Sequence, residues 1–93
     1  MEQSVCLYDR YIKDFRCKYY ITKTTKKFID DKDSVNVYGV KIDKLDRMGG
    51  IISSAAVSEV GINENDVRRF LKVLNDGRVT PITLQDIVKD NMA

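Results

Sequence analysis

The front half of the chain alternates between apolar and polar residues, with the period of a β-strand. Over residues 15–22 one set of alternate positions is apolar and the other is basic or polar, as in a strand with one buried face. A second alternating stretch covers residues 35–42, and a third, rich in small residues, covers 51–57. Residues 4–8 fit either a strand or a helix, and their β-favouring side chains favour a strand. The pattern predicts a meander of three or four antiparallel strands.

Two helix starts are predicted in the last third of the chain, where one local pattern occurs twice. Each copy has a polar N-cap residue, Asn63 or Thr83, and an aspartate three positions later, which is a variant of the capping box. The first helix carries an apolar stripe and is expected to end with Gly77 at C′. The second is expected to be short and to follow Pro81. We therefore expect one α+β domain over residues 1–93, with both carboxy-terminal helices packed on one face of the sheet.

The charge of the chain is small in total but unevenly distributed. Residues 10–29 hold seven basic residues and one acid, a net +6, which leaves −4 for the rest of a chain whose total is +2. A basic strand that also carries tyrosines can bind an acidic partner, or hold phosphates and stack a base. The candidate residues are Arg16, Lys18, Tyr20, Lys23, Lys26 and Lys27. The alternative is that they form only the solvated face of an open sheet.

An apolar strip is the second candidate surface. If the strand over 35–42 buries its even-numbered residues, then Val35 and Val37 face outward beside Tyr20. Apolar side chains on an otherwise charged surface are typical of a partner site or a self-association edge. Alternatively, the amino-terminal segment folds over them.

The third candidate surface is basic and lies on the first predicted helix. Its residues are Arg68, Arg69 and Lys72. They have the charge to dock an acidic partner, but the same pattern is typical of the solvent face of an amphipathic helix.

The composition argues against catalysis and metal binding. There is no histidine, and histidine is the commonest general base and metal ligand. Cys6 and Cys17 lack the C-x-x-C spacing and are expected to be small buried hydrophobes rather than a disulfide. The acidic cluster at 30–33 lacks the glycine and the terminal glutamate of a calcium loop. We expect a non-enzymatic protein with no cofactor, no metal and no small-molecule substrate.

The carboxy-terminal third resembles a group of short uncharacterised bacterial proteins of clostridial type. The resemblance rests on residues 79–88, which contain the pattern TP-x-x-L-x-D, and on residues 38–42 before them. It implies a bacterial, cytoplasmic protein and brings no activity, cofactor or site residue. The longest apolar-to-small run, 49–57, is too short to cross a bilayer, and the first residues lack a secretory signal.

Together these features predict a small non-catalytic protein-interaction or regulatory module that acts through its sheet face. The expected partner is another protein or a second copy of the chain, as in a homodimer. The alternative is a nucleic-acid-binding module that uses the basic, aromatic segment 10–29. Salt separates the two, because phosphate binding weakens steeply as salt rises, whereas a protein interface with an apolar centre is less sensitive.

Overall fold

Four antiparallel strands in a meander and two helices form an α+β fold. The computed structural model describes residues 2–27 and 34–92, with side chains as far as residue 87. The elements are β1 (Glu2–Ile12), β2 (Phe15–Lys27), β3 (Ser34–Leu45), β4 (Ile51–Gly61), α1 (Glu64–Asp76) and α2 (Pro81–Met92). The strand order is β1-β2-β3-β4. The predicted fold class is confirmed, and the ambiguous amino-terminal segment is a strand. The predicted acidic loop at 30–33 lies outside the described residues.

The core lies between the two helices and one face of the sheet, called the inner face here. Alternate residues of β2 and β3 are buried on it, because successive side chains of a strand point to opposite faces. Val67, Leu71 and Leu74 of α1 pack against this face at helical spacing, and Leu84 of α2 completes the cluster. The buried strand residues include Cys17, Tyr19, Ile21, Val40 and Ile42. The opposite face of the sheet is called the outer face.

Helix α1 begins at the predicted N-cap. At its other end, the residue with positive φ lies one position later than predicted. Asn63 is its N-cap, and the side-chain oxygen accepts a hydrogen bond from the backbone N–H of Asp66 at 3.2 Å. Gly77 is the C-cap, and Arg78 adopts the positive φ of 53° that was expected at Gly77. The N–H of Val79 donates to the carbonyl of Leu74 at 3.0 Å, which completes a Schellman motif. The position of the turn depends on Val79, because this residue packs against the core.

The predicted N-cap of α2 is wrong by three residues, because Thr80 and not Thr83 occupies that position. The helix begins at Pro81, and the carbonyl of Thr80 accepts from the N–H of Leu84 at 2.9 Å. Proline is favoured at the first helical position, because its φ is already helical and the missing N–H is not needed there. Thr80 is thus the residue that caps the helix, and its hydroxyl lies 3.0 Å from that of Thr83. The helix has 12 residues, so it is nearly as long as α1.

Candidate functional site

Both helices pack on the inner face, and within residues 2–27 and 34–92 no other helix or strand covers the outer face. The cross-strand registers arrange the outer side chains in three rungs that each span all four strands. The tyrosine rung is Cys6, Tyr20, Lys41 and Ala56. The charged rung is Asp9, Lys18, Asp43 and Ser54. The end rung, next to the β1–β2 and β3–β4 turns, is Tyr11, Arg16, Leu45 and Ile51.

Acids of neighbouring strands compensate the basic residues of these rungs. Lys18 has Asp9 as its register partner on one side and Asp43 on the other. Arg16 donates two hydrogen bonds to Asp9, one of them from Nε to Oδ1 at 2.7 Å, and this bonding lowers the pKa of Asp9. Asp43 is 5% exposed, accepts from the Ser54 hydroxyl at 2.6 Å, and lies 3.8 Å from the Lys41 ammonium. The outer face is therefore a mixed-charge surface rather than a basic one.

Beyond the tyrosine rung, the outer face is less accessible because β4 departs from its regular pairing with β3. The register moves from Val40 with Val57 to Tyr38 with Gly61, so residues 58–60 bulge out of the ladder. A Cβ built on Gly39 would overlap the carbonyl oxygen of Val57, so only glycine lets the bulged strand approach this closely. Thr22 pairs with Gly39 and is only 2% exposed, although it lies on the outer face.

The structure separates the six basic and aromatic residues that were predicted to share a surface. The alternation of β2 puts four of them on the outer face and Lys23 and Lys27 on the inner face. Lys26 is on the outer face and forms an ion pair with Glu59 of the bulge. Lys23 instead lines a cleft of about 170 Å³ at the inner face, together with Tyr38 and residues of α1. The four on the outer face are Arg16, Lys18, Tyr20 and Lys26.

The predicted apolar strip lies on the outer face, but not beside Tyr20. Val35 pairs in register with Lys26, and Val37 pairs with Thr24, whereas Tyr20 pairs with Lys41. Both valines are half-buried. The alternative in which the amino-terminal segment folds over them is wrong, because β1 pairs with β2 in the plane of the sheet. The strand-forming residues of that segment satisfy their backbone hydrogen bonds along β2 instead of packing on its surface.

On α1, acidic side chains of the same helix offset part of the charge of the predicted basic surface. Arg68 lies 3.6 Å from Glu64, and Arg69 lies 3.5 Å from Asp66. Both acids are in the first turn of α1, where negative charge also interacts well with the helix dipole. Lys72 is exposed on the same helix. This surface has the geometry of a solvated helix face.

Sequence reasoning missed the two most prominent apolar residues of the outer face. Tyr11 is 74% exposed and Ile51 is 63% exposed, at opposite edges of the end rung. The two turns beside this rung are joined by an ion pair between Arg47 and Asp14 at 2.8 Å. The alternation within one strand carries no sign that these apolar residues share a rung, because the register between strands places them there.

The two cysteines lie on opposite faces of the sheet. Cys17 is buried as predicted, and burial raises the pKa of its thiol. Cys6 is exposed, contrary to the prediction, because it lies on the tyrosine rung of the outer face. Both thiols are free. In the described part of the chain, no three His, Cys, Asp or Glu side chains are placed to hold a metal ion, and no helix is long and apolar enough to cross a membrane.

Comparison with known proteins places the whole fold in one family. No curated protein and no solved structure matches the chain. A family model does match, and it covers residues 2–93, from the first strand to the end of α2. The match therefore includes the three outer rungs as well as the helices that cover the inner face. The chain belongs to DUF6514, a family of unknown function.

Proposed function

We propose that this protein is a small, non-catalytic protein-interaction or regulatory module that acts through the outer face of its sheet. The observation that carries the proposal is the end rung, where Tyr11 and Ile51 are mostly exposed at the edges of an otherwise mixed-charge surface. Burying apolar surface contributes about 25 cal/mol per Å², so a partner that covers this rung gains binding free energy there. Tyrosine is also enriched among the residues that dominate protein interfaces.

The arrangement of charge supports a protein partner over a nucleic acid. A polyanion binds where several cations converge without acids between them. On the outer face, Arg16 is bonded to Asp9, Lys26 to Glu59, and Lys18 has an aspartate on each side. Interspersed charges of both signs suit a protein surface that carries the complementary pattern.

Nucleic-acid binding through residues 10–29 is the competing function. The net +6 of that segment favours it. An NMR amide titration with a mixed-sequence single-stranded oligonucleotide, at low and moderate salt, separates the two. We expect no amide shifts at residues 16–27 at either salt concentration. Shifts there that appear at low salt and fade as salt rises would replace our proposal with the nucleic-acid one.

Site-directed photo-crosslinking tests whether the outer face is the surface used. A photoreactive amino acid replaces Ala56, which is exposed on the tyrosine rung of the outer face, and in a matched control it replaces Lys72, which is exposed on α1. We expect protein adducts from position 56 and few from position 72. Equal adduct yields at the two positions, or none at position 56, would refute the use of this face.

The proposal also includes the location of the protein, which is the bacterial cytoplasm. The resemblance of residues 79–88 to clostridial-type proteins supports a bacterial, cytoplasmic protein. The crosslinking is therefore best performed in a bacterial cytoplasm, where a natural partner other than the chain itself is available.

A further inference from the structure

We infer that the partner of the outer face is a second copy of this chain, and that the two copies pack face to face about a two-fold axis parallel to the strands. The inference rests on the proposed function, because it names the partner of the same surface. The axis runs between β2 and β3, so it exchanges β1 with β4 and β2 with β3. The result is a two-layered sandwich of aligned sheets with the helices on its outside.

The exposed apolar residues point to this axis. Tyr11 is on β1 and Ile51 is on β4, at the two ends of one rung. Three strand spacings separate them, or roughly 14 Å. The proposed axis places Tyr11 of each copy over Ile51 of the other copy. The two-fold axis therefore creates two equivalent contacts between Tyr11 and Ile51, and both side chains lose contact with water in both copies.

The charges point to the same axis independently. Along the charged rung the order is Asp9, Lys18, Asp43 and Ser54. Exchanging β2 with β3 places Lys18 of one copy over Asp43 of the other, and Asp9 over Ser54. In the tyrosine rung it places Tyr20 over Lys41, which is the cation–π pairing that these side chains already make within one copy at 5.5 Å.

A two-fold axis can also lie between the two sheets and run perpendicular to the strands. That axis does not place opposite charges over one another. When it passes through the charged rung, each strand lies over its own copy, so Lys18 faces Lys18 and Asp9 faces Asp9. Like charges face to face are unfavourable. The charges of the outer face therefore favour the axis parallel to the strands over a perpendicular axis through the charged rung, as the apolar residues do.

The size of the surface predicts a weak dimer. Three rungs of four strands cover roughly 20 Å by 19 Å, or about 400 Å² on each copy. The total is below the roughly 1,000 Å² expected of a stable interface. We therefore expect a dissociation constant on the order of 10–100 μM, and a monomer at low concentration.

A complementation experiment tests the pairing of Tyr11 with Ile51. Sedimentation velocity of the full chain is measured from about 10 μM to about 500 μM, a range that brackets the expected constant. Tyr11→Lys and Ile51→Glu, each alone, should weaken self-association at least tenfold. An equimolar mixture of the two variants should associate as the wild type does, because one contact becomes Lys over Glu and the other keeps Tyr over Ile.

Two further variants test the charged rung and a surface outside the proposed interface. Lys18→Glu should also weaken dimerisation, because it removes the cation that lies over Asp43 of the second copy, and an amide spectrum checks that each variant is folded. Val73→Glu is the matched control, since Val73 is exposed on α1 and outside the interface. Two single variants that dimerise like the wild type, or a mixture that stays monomeric, would overturn the inference.

The proposed function and the dimer fail in different ways. A wild-type chain that stays monomeric up to about 500 μM overturns the dimer. If position 56 still crosslinks to a different protein, the outer face remains an interaction surface and the proposed function holds. If position 56 gives no adduct with any protein, including a second copy, both are overturned.

Discussion

Tyr19 gives the most informative test of the packing that supports the outer face. Its side chain is fully buried on the inner face, and its hydroxyl donates a hydrogen bond to the carbonyl of Val79 at 2.9 Å. This bond ties β2 to the connection between α1 and α2. Burial raises the pKa of Tyr19 to about 12, because the charged phenolate is poorly solvated there. The neutral phenol thus stabilises the fold, and high pH should remove this stabilisation by favouring the deprotonated form.

The substitution is Tyr19→Phe, which removes the hydroxyl and keeps the ring. At neutral pH the variant loses one buried hydrogen bond and leaves the Val79 carbonyl without this donor. We expect a loss of about 1–2 kcal/mol in the free energy of unfolding.

The pH dependence has a definite sign. A tyrosine in the unfolded chain loses its proton near pH 10, whereas Tyr19 in the folded chain keeps it to about pH 12. Between these values the unfolded state binds fewer protons, so the stability contributed by Tyr19 falls as pH rises. It is complete below about pH 10 and lost by about pH 12, a change of roughly 2–3 kcal/mol. The wild type should therefore lose its advantage over Tyr19→Phe within this window.

The assay is urea unfolding of both proteins at a series of pH values from 7 to 11.5, and the measured quantity is the difference between their unfolding free energies. Lysines and the other tyrosines titrate in both proteins, so their effects cancel in the difference. Tyr11→Phe is the control for removing a phenol hydroxyl, since Tyr11 is mostly exposed, and at neutral pH it should leave the free energy of unfolding nearly unchanged. A difference that stays constant from pH 7 to 11.5 would refute the reasoning.

Three further predictions concern the backbone and the cysteines. Arg78→Gly should raise the unfolding free energy by about 1 kcal/mol in thermal melts, because Arg78 has a φ of 53° and glycine adopts positive φ without strain; an unchanged melting temperature would contradict this. Gly39→Ala should lower stability by at least about 2 kcal/mol in urea unfolding, because its methyl group would meet the Val57 carbonyl, and a neutral result would mean that the bulge relaxes. Iodoacetamide should label Cys6 in the native protein and Cys17 only after unfolding, as read by peptide mass spectrometry; equal labelling rates would contradict the buried position of Cys17.

Helix ends show how neighbouring signals compete. Asn63 was predicted correctly, because its cap and the following apolar stripe agree. At α2, however, Thr80 and Thr83 are both suitable caps, and Pro81 decides between them because it belongs at the first helical position. At the end of α1 the glycine signal pointed to residue 77, but Val79 has to reach the core, so Arg78 takes the left-handed conformation.

The sequence by itself determined the class of the fold, the order of its elements and the face on which most residues of β2 and β3 lie. These properties follow from local periodicity, since the side chains of a strand alternate with period two and those of a helix repeat every 3.6 residues. A strand carries this information within a few residues.

Only the tertiary structure decided which residues of different strands meet. Part of the positive charge of the basic segment is offset, because Asp9, Asp43 and Glu59, from three other strands, lie beside three of its cations. Tyr11 and Ile51, forty residues apart, share a rung for the same reason. Cross-strand register depends on turns and bulges along the whole meander, so no local pattern contains it.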